Sequence, residues 1–268
     1  MRILLTNDDG IDAPGLISLY KAVQDMGDII VVAPATVQSA SSHAVTFHKP
    51  LRVDKREYPD FTGYAVHGRP ADCVKLAIEE LVKDPIDLVI SGMNYGANIG
   101  INVIYSGTVA AAREAAFLGI PAIAASLHVG TDFDIDINDL NWTKATNHAR
   151  TAIDAVMAGP INPHTVVNLN VPRLADDEEP QGMKVVPISR THMVNSYDVQ
   201  VTEEGHTTYK ISTGMDFAQI EANTDVEALF NQYITLTPLH YDLTHEGQLK
   251  EWQKHIQVAS KPPSSGVG

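Results

Sequence analysis

Asp8 and Asp9 stand side by side at the end of the apolar run Arg2–Thr6 and are followed by Gly10. Two adjacent carboxylates at the mouth of a buried strand repel each other and resist desolvation, so each raises the other's pKa unless a cation or hydrogen-bond donors compensate. A divalent ion relieves both problems. The competing reading is a plain turn, because Asn7 to Gly10 is built from the commonest turn residues. Two further strand ends shift the weight towards chemistry. One leads into a Ser-rich loop, Ser39 to Ser42, and the other opens into GMNYGANIG, Gly92 to Gly100, which contains Asn94. Carboxylate, hydroxyl and amide oxygens, without Cys or clustered His, suit Mg²⁺ or Mn²⁺ rather than Zn²⁺. The candidate metal ligands are therefore Asp8, Asp9, Ser39 and Asn94.

A phosphate site is expected nearby. Tyr105-Ser106-Gly107-Thr108 runs into the helical pattern VAAAREAAFL, which puts hydroxyls and free backbone N–H groups at a helix N-terminus, a geometry that binds phosphate. The plainer role for Ser106 or Thr108 is an N-cap worth about 1 kcal/mol, and the two roles are compatible. Asn94, Ser106, Gly107 and Thr108 are the candidate phosphate-binding residues, with Asp8, Asp9, Asn94 and Ser106 as the catalytic set. Asn98 is a second amide that could face a ligand. GxGxxG and GxxxxGK[ST] are both absent from the sequence, which removes the dinucleotide fingerprint and the P-loop.

The elements that must position these residues follow from the apolar pattern. Arg2–Thr6, Ile29–Pro34, Asp87–Ser91, Ile120–Ser126 and Val166–Val171 are short, continuously apolar runs, as expected of parallel strands buried on both faces. Between them, Pro14–Met26, Pro70–Val82, Thr108–Leu118 and Asn141–Met157 read as helices, with Pro14 and Pro70 in first turns and Gly27, Gly119 and Gly159 as stops. The alternation predicts a doubly wound α/β sheet, whose ligands bind beyond the carboxyl ends of the strands. From Asp176 the composition changes. Lys184–Ile188 and Thr207–Ser212 read as the strands of a hairpin arm, followed by a helix over Thr224–Asn231, a strand over Tyr233–Pro238 and a helix over Thr244–Gln257. The division expected is an α/β core over 1–175, an arm and C-terminal oligomerisation segment over 176–260, and a disordered tail over 261–268.

The 268 residues carry 19 Lys+Arg against 33 Asp+Glu, a net charge of −14, and 44% hydrophobic positions. That charge repels polymeric nucleic acid and anionic membranes, and a small phosphate ester would need a local positive centre such as a bound cation. No run reaches the roughly 18 uninterrupted apolar residues of a membrane helix. The single Cys73 cannot form an internal disulfide, and the N-terminus lacks signal-peptide character, so a cytoplasmic protein is expected. Cys73 reads as core. His43 and His67 lie near the candidate site but are read as supporting or surface residues. The acidic stretch with Asp132, Asp134 and Asp136 is read as a solvated loop.

Taken together, Asn7-Asp8-Asp9-Gly10, Ser39, SGMNYGANIG from Ser91 and YSGTVAAAREA from Tyr105 resemble the stationary-phase survival protein E (SurE) family of 5'/3'-nucleotidases. VAPATVQSAS from Val32, GRPADCV from Gly68, Asn170-Val171-Pro172 and TPLHYDLT from Thr237 extend the resemblance over nearly the whole chain. The resemblance implies a phosphomonoesterase dependent on one Mg²⁺ or Mn²⁺ and acting on nucleoside monophosphates, with 3'-nucleotides and short polyphosphate as further substrates. It also implies a Rossmann-like core with a C-terminal β-hairpin arm and a swapped C-terminal helix that make a homodimer or homotetramer. Asp8, Asp9, Ser39 and Asn94 match the family's metal ligands. Arg69 departs from the pattern, which usually carries Thr there, and puts substrate range in question.

Two routes for attack are open: a water with Asp8 or Asp9 as general base, or direct attack by a carboxylate. Water is favoured because the DxDGT arrangement of aspartyl-phosphate enzymes is absent. The rivals from other classes are a non-hydrolytic sensor of nucleotide and metal, and a nucleotide-sugar transferase that would use the acidic DFDID stretch.

Overall fold

The computed structural model describes all residues except 131–134, 192, 194–195, 203–204, 213–216 and 260–268. Asp132, Asp134 and the expected tail over 261–268 therefore lie outside the described residues. Among those described, nine strands form one sheet: β1 (Arg2–Thr6), β2 (Asp28–Pro34), β3 (Val53–Glu57), β4 (Thr62–Val66), β5 (Leu88–Tyr95), β6 (Ala122–Leu127), β7 (Thr165–Val171), β8 (Met183–Val185) and the last strand, Ile234–His240. A separate antiparallel hairpin pairs β9 (Ser196–Val201) with β10 (Thr207–Ser212), which makes Ile234–His240 β11. The sheet order is β3-β4-β2-β1-β5-β6-β7-β11-β8. The run from β4 to β7 is parallel. β3 joins β4, and β11 joins β7, in the antiparallel sense.

The continuously apolar runs are strands because both faces of this sheet are covered. Ile3 and Leu5 of β1 pack towards α1 (Pro14–Val23) and α4 (Trp142–Met157), meeting Leu16, Leu19, Ala149 and Ile153. Leu4, between them, points the other way towards α2 (Pro70–Leu76) and α3 (Gly107–Phe117), meeting Cys73, Val74, Val109 and Ala112. Val89 against Leu88 and Ile90 repeats the alternation in β5. Every residue of β6 is buried. Truncating a fully buried leucine in such a layer costs about 2–5 kcal/mol.

The chain leaves β1 for β2 on one side and returns to β5 on the other, so the strand order reverses at β1. A crevice opens at the carboxyl ends of the strands beside such a reversal, and it is there that Asp8, Asp9 and Asn94 emerge.

Several expectations are corrected. Lys184 and Val185 do not pair with Thr207–Ser212. They pair in parallel with β11 at the edge of the main sheet, and Ser196–Val201 takes the place in the hairpin. The reason is that β11 otherwise presents an open edge. β3 and β4 escaped the apolar reading because β3, VDKRE, is a half-exposed edge strand. The helix expected over Pro70–Val82 is α-helical to Leu76 and ends in a π-turn over Ala77–Leu81.

Candidate active site at the strand tips

Asn7 makes the turn that the plain reading anticipated. Its Nδ2 donates to the Gly10 carbonyl at 2.9 Å, and its Oδ1 accepts from the Gly10 N–H at 3.2 Å. The turn and the chemistry coexist, because Asn7 closes the loop and leaves Asp8 and Asp9 to face the crevice.

Asp8 is buried, at 4% exposure. The Thr108 hydroxyl donates to its Oδ1, and the backbone N–H groups of Thr108 and Gly107 also favour the carboxylate. Burial nonetheless raises the Asp8 pKa. Asp9 is half-buried and accepts the Tyr95 N–H on Oδ2 at 3.0 Å. Burial, reinforced by the neighbouring Asp8 charge, pushes Asp9 up to about 7. The carboxylate pair is thus incompletely compensated by donors, the condition in which a cation is most favourable.

Asn94 reaches the site through an irregularity in β5. The register with β6 shifts between Ser91 and Asn94, after which Asn94 lies beside Ser126. Gly92 is required in this bulge, since a Cβ there would stand 2.2 Å from the Ala125 carbonyl oxygen. Asn94 Nδ2 donates to the Gly96 carbonyl at 2.6 Å, which fixes the amide and turns its Oδ1 away from that bond. Asn98 is tied into the protein interior. Its N–H donates to Asn170 Oδ1 at 2.8 Å and its Nδ2 to Ser126 Oγ at 2.8 Å, in a buried network that holds the loop to β6 and β7.

Ser39 is exposed on the loop after β2. The preceding Gln38 N–H donates to the Asp8 carbonyl at 2.7 Å, so the loop is tied to the carboxylate pair one residue before Ser39. Further on, Ser42 is bound to the Tyr105 and Ile104 carbonyls at 3.0 and 2.9 Å. Ala40 and Ser42 both take left-handed φ values, 53° and 52°, a conformation that costs non-glycine residues about 1–2 kcal/mol. His43, read as a supporting residue, contacts Glu114 at 2.8 Å and stacks on Phe117, joining the same loop to α3.

Ser106 is the N-cap of α3, its Oγ accepting from the Val109 N–H at 3.0 Å. A capping hydroxyl that accepts keeps its own proton to donate. Gly107 lies against Asp8, and a Cβ there would stand 2.8 Å from Asp8 Cβ and Oδ2 and 3.1 Å from Ser41 Oγ. Ser41 was missed by the sequence reading. Its buried Oγ has no hydrogen-bond partner among the described residues, and its only sequence signal was its place in the serine run. The structure therefore brings together Asp8, Asp9, Thr108, Gly107 and Ser41. Ser39 is on the loop that borders them, with no hydrogen bond holding its side chain among the described residues.

The residues present fit a hard cation. Among the described residues no three His, Cys, Asp or Glu side chains cluster, so the donors on offer are two carboxylates with hydroxyl and amide oxygens, which suit Mg²⁺ or Mn²⁺. Asp136, in the alternative acidic stretch, uses its carboxylate on the N–H and Nδ2 of Asn138 at 2.9 and 2.8 Å.

Comparison with known proteins gives the family. The family model described as "Survival protein SurE" matches residues 3–195. The chain belongs to the SurE family. It is 39% identical over 264 residues to the 5'-nucleotidase SurE of Heliobacterium modesticaldum, covering 98% of this chain and 94% of that one. It is 42% identical over 246 residues to the 5'-nucleotidase SurE of Syntrophobacter fumaroxidans, covering 91% and 95%. Among solved structures, the SurE protein from Aquifex aeolicus superposes with a TM-score of 0.80 at 32% identity, over 96% of this chain and all of that one. Asp8, Asp9, Asn94 and Ser106 all lie within the segment matched by the SurE model. All of β9, β10 and β11 lies beyond that segment, yet β11 joins β7 to β8 in the main sheet.

Proposed function

We propose that this chain is a metal-dependent phosphomonoesterase that hydrolyses nucleoside 5'-monophosphates to nucleoside and phosphate. The observation that carries the reading is the carboxylate pair, Asp8 buried and Asp9 half-buried, set against the start of α3 and incompletely compensated by Thr108 and the Tyr95 N–H. The names of the relatives, 5'-nucleotidase SurE, support the same reaction class.

Asp8, Asp9, Ser39 and Asn94 would hold one Mg²⁺ or Mn²⁺, which when bound polarises a phosphoryl oxygen and offsets charge in the transition state. Asn94, Ser106 and Gly107 serve the phosphate. Ser106 offers the hydroxyl proton left free by its capping role, and the α3 N-terminus adds fixed partial positive charge. Thr108 acts through Asp8, holding the carboxylate rather than the phosphate. Asp8 or Asp9 would act as general base towards an attacking water. Water is preferred over carboxylate attack because the DxDGT arrangement of aspartyl-phosphate enzymes is absent. The same chemistry extends to 3'-nucleotides and short polyphosphate.

The assembly proposed is a homodimer or homotetramer formed by exchange of the β9–β10 arm and the C-terminal helix, α6 (Glu246–Ala259). Support comes from their exposed apolar side chains: Tyr197, Val199, Tyr209 and Ile211 on the arm, and Leu249, Trp252 and Ile256 at helical spacing on α6. Among the described residues no helix is long and apolar enough to cross a membrane. A cytoplasmic location is proposed on the single, free, buried Cys73.

The test is phosphate release from AMP with Mn²⁺, with and without EDTA, in the wild type and Asp8→Asn. Release that needs the metal and is lost in the variant is expected. Tight AMP binding without release would make the protein a sensor instead.

A further inference from the structure

Beside the carboxylate pair opens a second cleft of about 460 Å³, lined by Thr36, Gln38, Phe47, Lys49, His67 and Arg69 among others. It adjoins the candidate active site, because Gln38 in its wall donates to the Asp8 carbonyl at 2.7 Å. Its charge is unusual for this protein. The chain carries −14 overall, yet Lys49 and Arg69 both line this cleft and neither pairs with an acid among the described residues.

The nearby acids are committed elsewhere. Asp72 accepts the Thr46 N–H and hydroxyl at 2.8 and 2.7 Å and the Arg69 backbone N–H at 2.9 Å. Asp54 is held by Arg52 Nε and Nη2 at 2.9 and 2.8 Å and by His67 Nε2 at 2.8 Å. The Arg69 guanidinium and the Lys49 ammonium are therefore left to an anion from outside. Phe47, 81% exposed at the same cleft, adds an aromatic face on which a nucleobase can stack.

We propose that this cleft binds a second phosphate group carried by the leaving group, so that the favoured substrates are nucleoside bisphosphates, such as adenosine 3',5'-bisphosphate, over monophosphates. The proposal rests on the phosphomonoesterase reading above. Water adds to the phosphorus at the carboxylate pair, the bond to the nucleoside oxygen breaks, that oxygen takes a proton, and the second phosphate stays on the departing nucleotide between Arg69 and Lys49. Guanidinium recognises phosphate through paired N–H groups, and lysine as a point charge.

The experiment compares kcat/KM for adenosine 3',5'-bisphosphate and for AMP, with Mn²⁺, in the wild type, Arg69→Gln and Lys49→Gln. A charged hydrogen-bonded contact predicts a preference for the bisphosphate of about tenfold or more in the wild type. The preference should shrink in each variant and with added salt. Lys49 is exposed, so its replacement leaves the core untouched. A wild-type ratio near one, or a preference that survives both substitutions, overturns the proposal. Absence of phosphate release from either compound would instead reject the phosphomonoesterase reading.

Discussion

Thr108 donates its hydroxyl to Asp8 across 100 residues of sequence, and by doing so couples the tip of β1 to the first turn of α3. The carboxylate that should grip the cation and the helix that should face the phosphate are thereby fixed relative to each other. Removing the hydroxyl while keeping the shape, in Thr108→Val, should lower metal affinity and phosphate release about 10–100-fold, as loss of a ligand's supporting partner does. Thr108→Ser should recover most of both. Titrating Mn²⁺ into the three proteins by calorimetry, alongside phosphate release, checks this.

Gly107 is needed for closeness rather than for a special backbone angle. A methyl group there would stand 2.8 Å from two atoms of Asp8, so Gly107→Ala must push the carboxylate or the helix start aside. Misplacement of about 1 Å at a reacting centre costs roughly 100-fold in rate. Phosphate release should fall by that order while far-UV circular dichroism is unchanged. Near wild-type turnover would show that Asp8 tolerates displacement.

Asp225 is fully buried at the start of α5 (Asp225–Phe230) and accepts three backbone N–H groups: Gly100 at 2.8 Å, Ser189 at 2.8 Å and Val226 at 2.9 Å. It pins the end of the Asn94 loop to the segment after β8. Asp225→Ala leaves these buried donors without their acceptor and should destabilise the fold by about 3 kcal/mol. Urea unfolding of wild type and variant measures the difference.

His128 is held well below the usual histidine range, at about 4, because burial penalises its charged form and Arg173 repels it. Its Nε2 has no partner among the described residues. The folded state therefore resists a proton that the unfolded chain takes up near pH 6.5. Its contribution to stability is complete above pH 6.5 and is lost as pH falls towards 4, by at most about 3 kcal/mol. His128→Leu should flatten that part of the stability curve, as read by denaturant midpoints at pH 7.5 and 5. An equal slope in both proteins would assign the acid sensitivity to other groups.

The apolar strands and the helices between them were legible because a parallel sheet covered on both faces leaves an uninterrupted apolar run, as in β1 and β6. The half-exposed β3 carries no such signal, and the hairpin was mispaired because alternation shows that a segment is a strand but not which strand it joins. The sequence by itself determined the chemical character of the site: oxygen donors at strand tips, the serine run, and a helix that starts on Ser106-Gly107-Thr108. The tertiary structure decided their roles. It assigned Thr108 to Asp8, put Asn98 into a buried network, packed Gly107 against a carboxylate and left the buried Ser41 hydroxyl without a partner among the described residues. Residue types set what a side chain can donate or accept, whereas partners 100 positions apart are chosen only when the sheet brings their strands and helices to one edge.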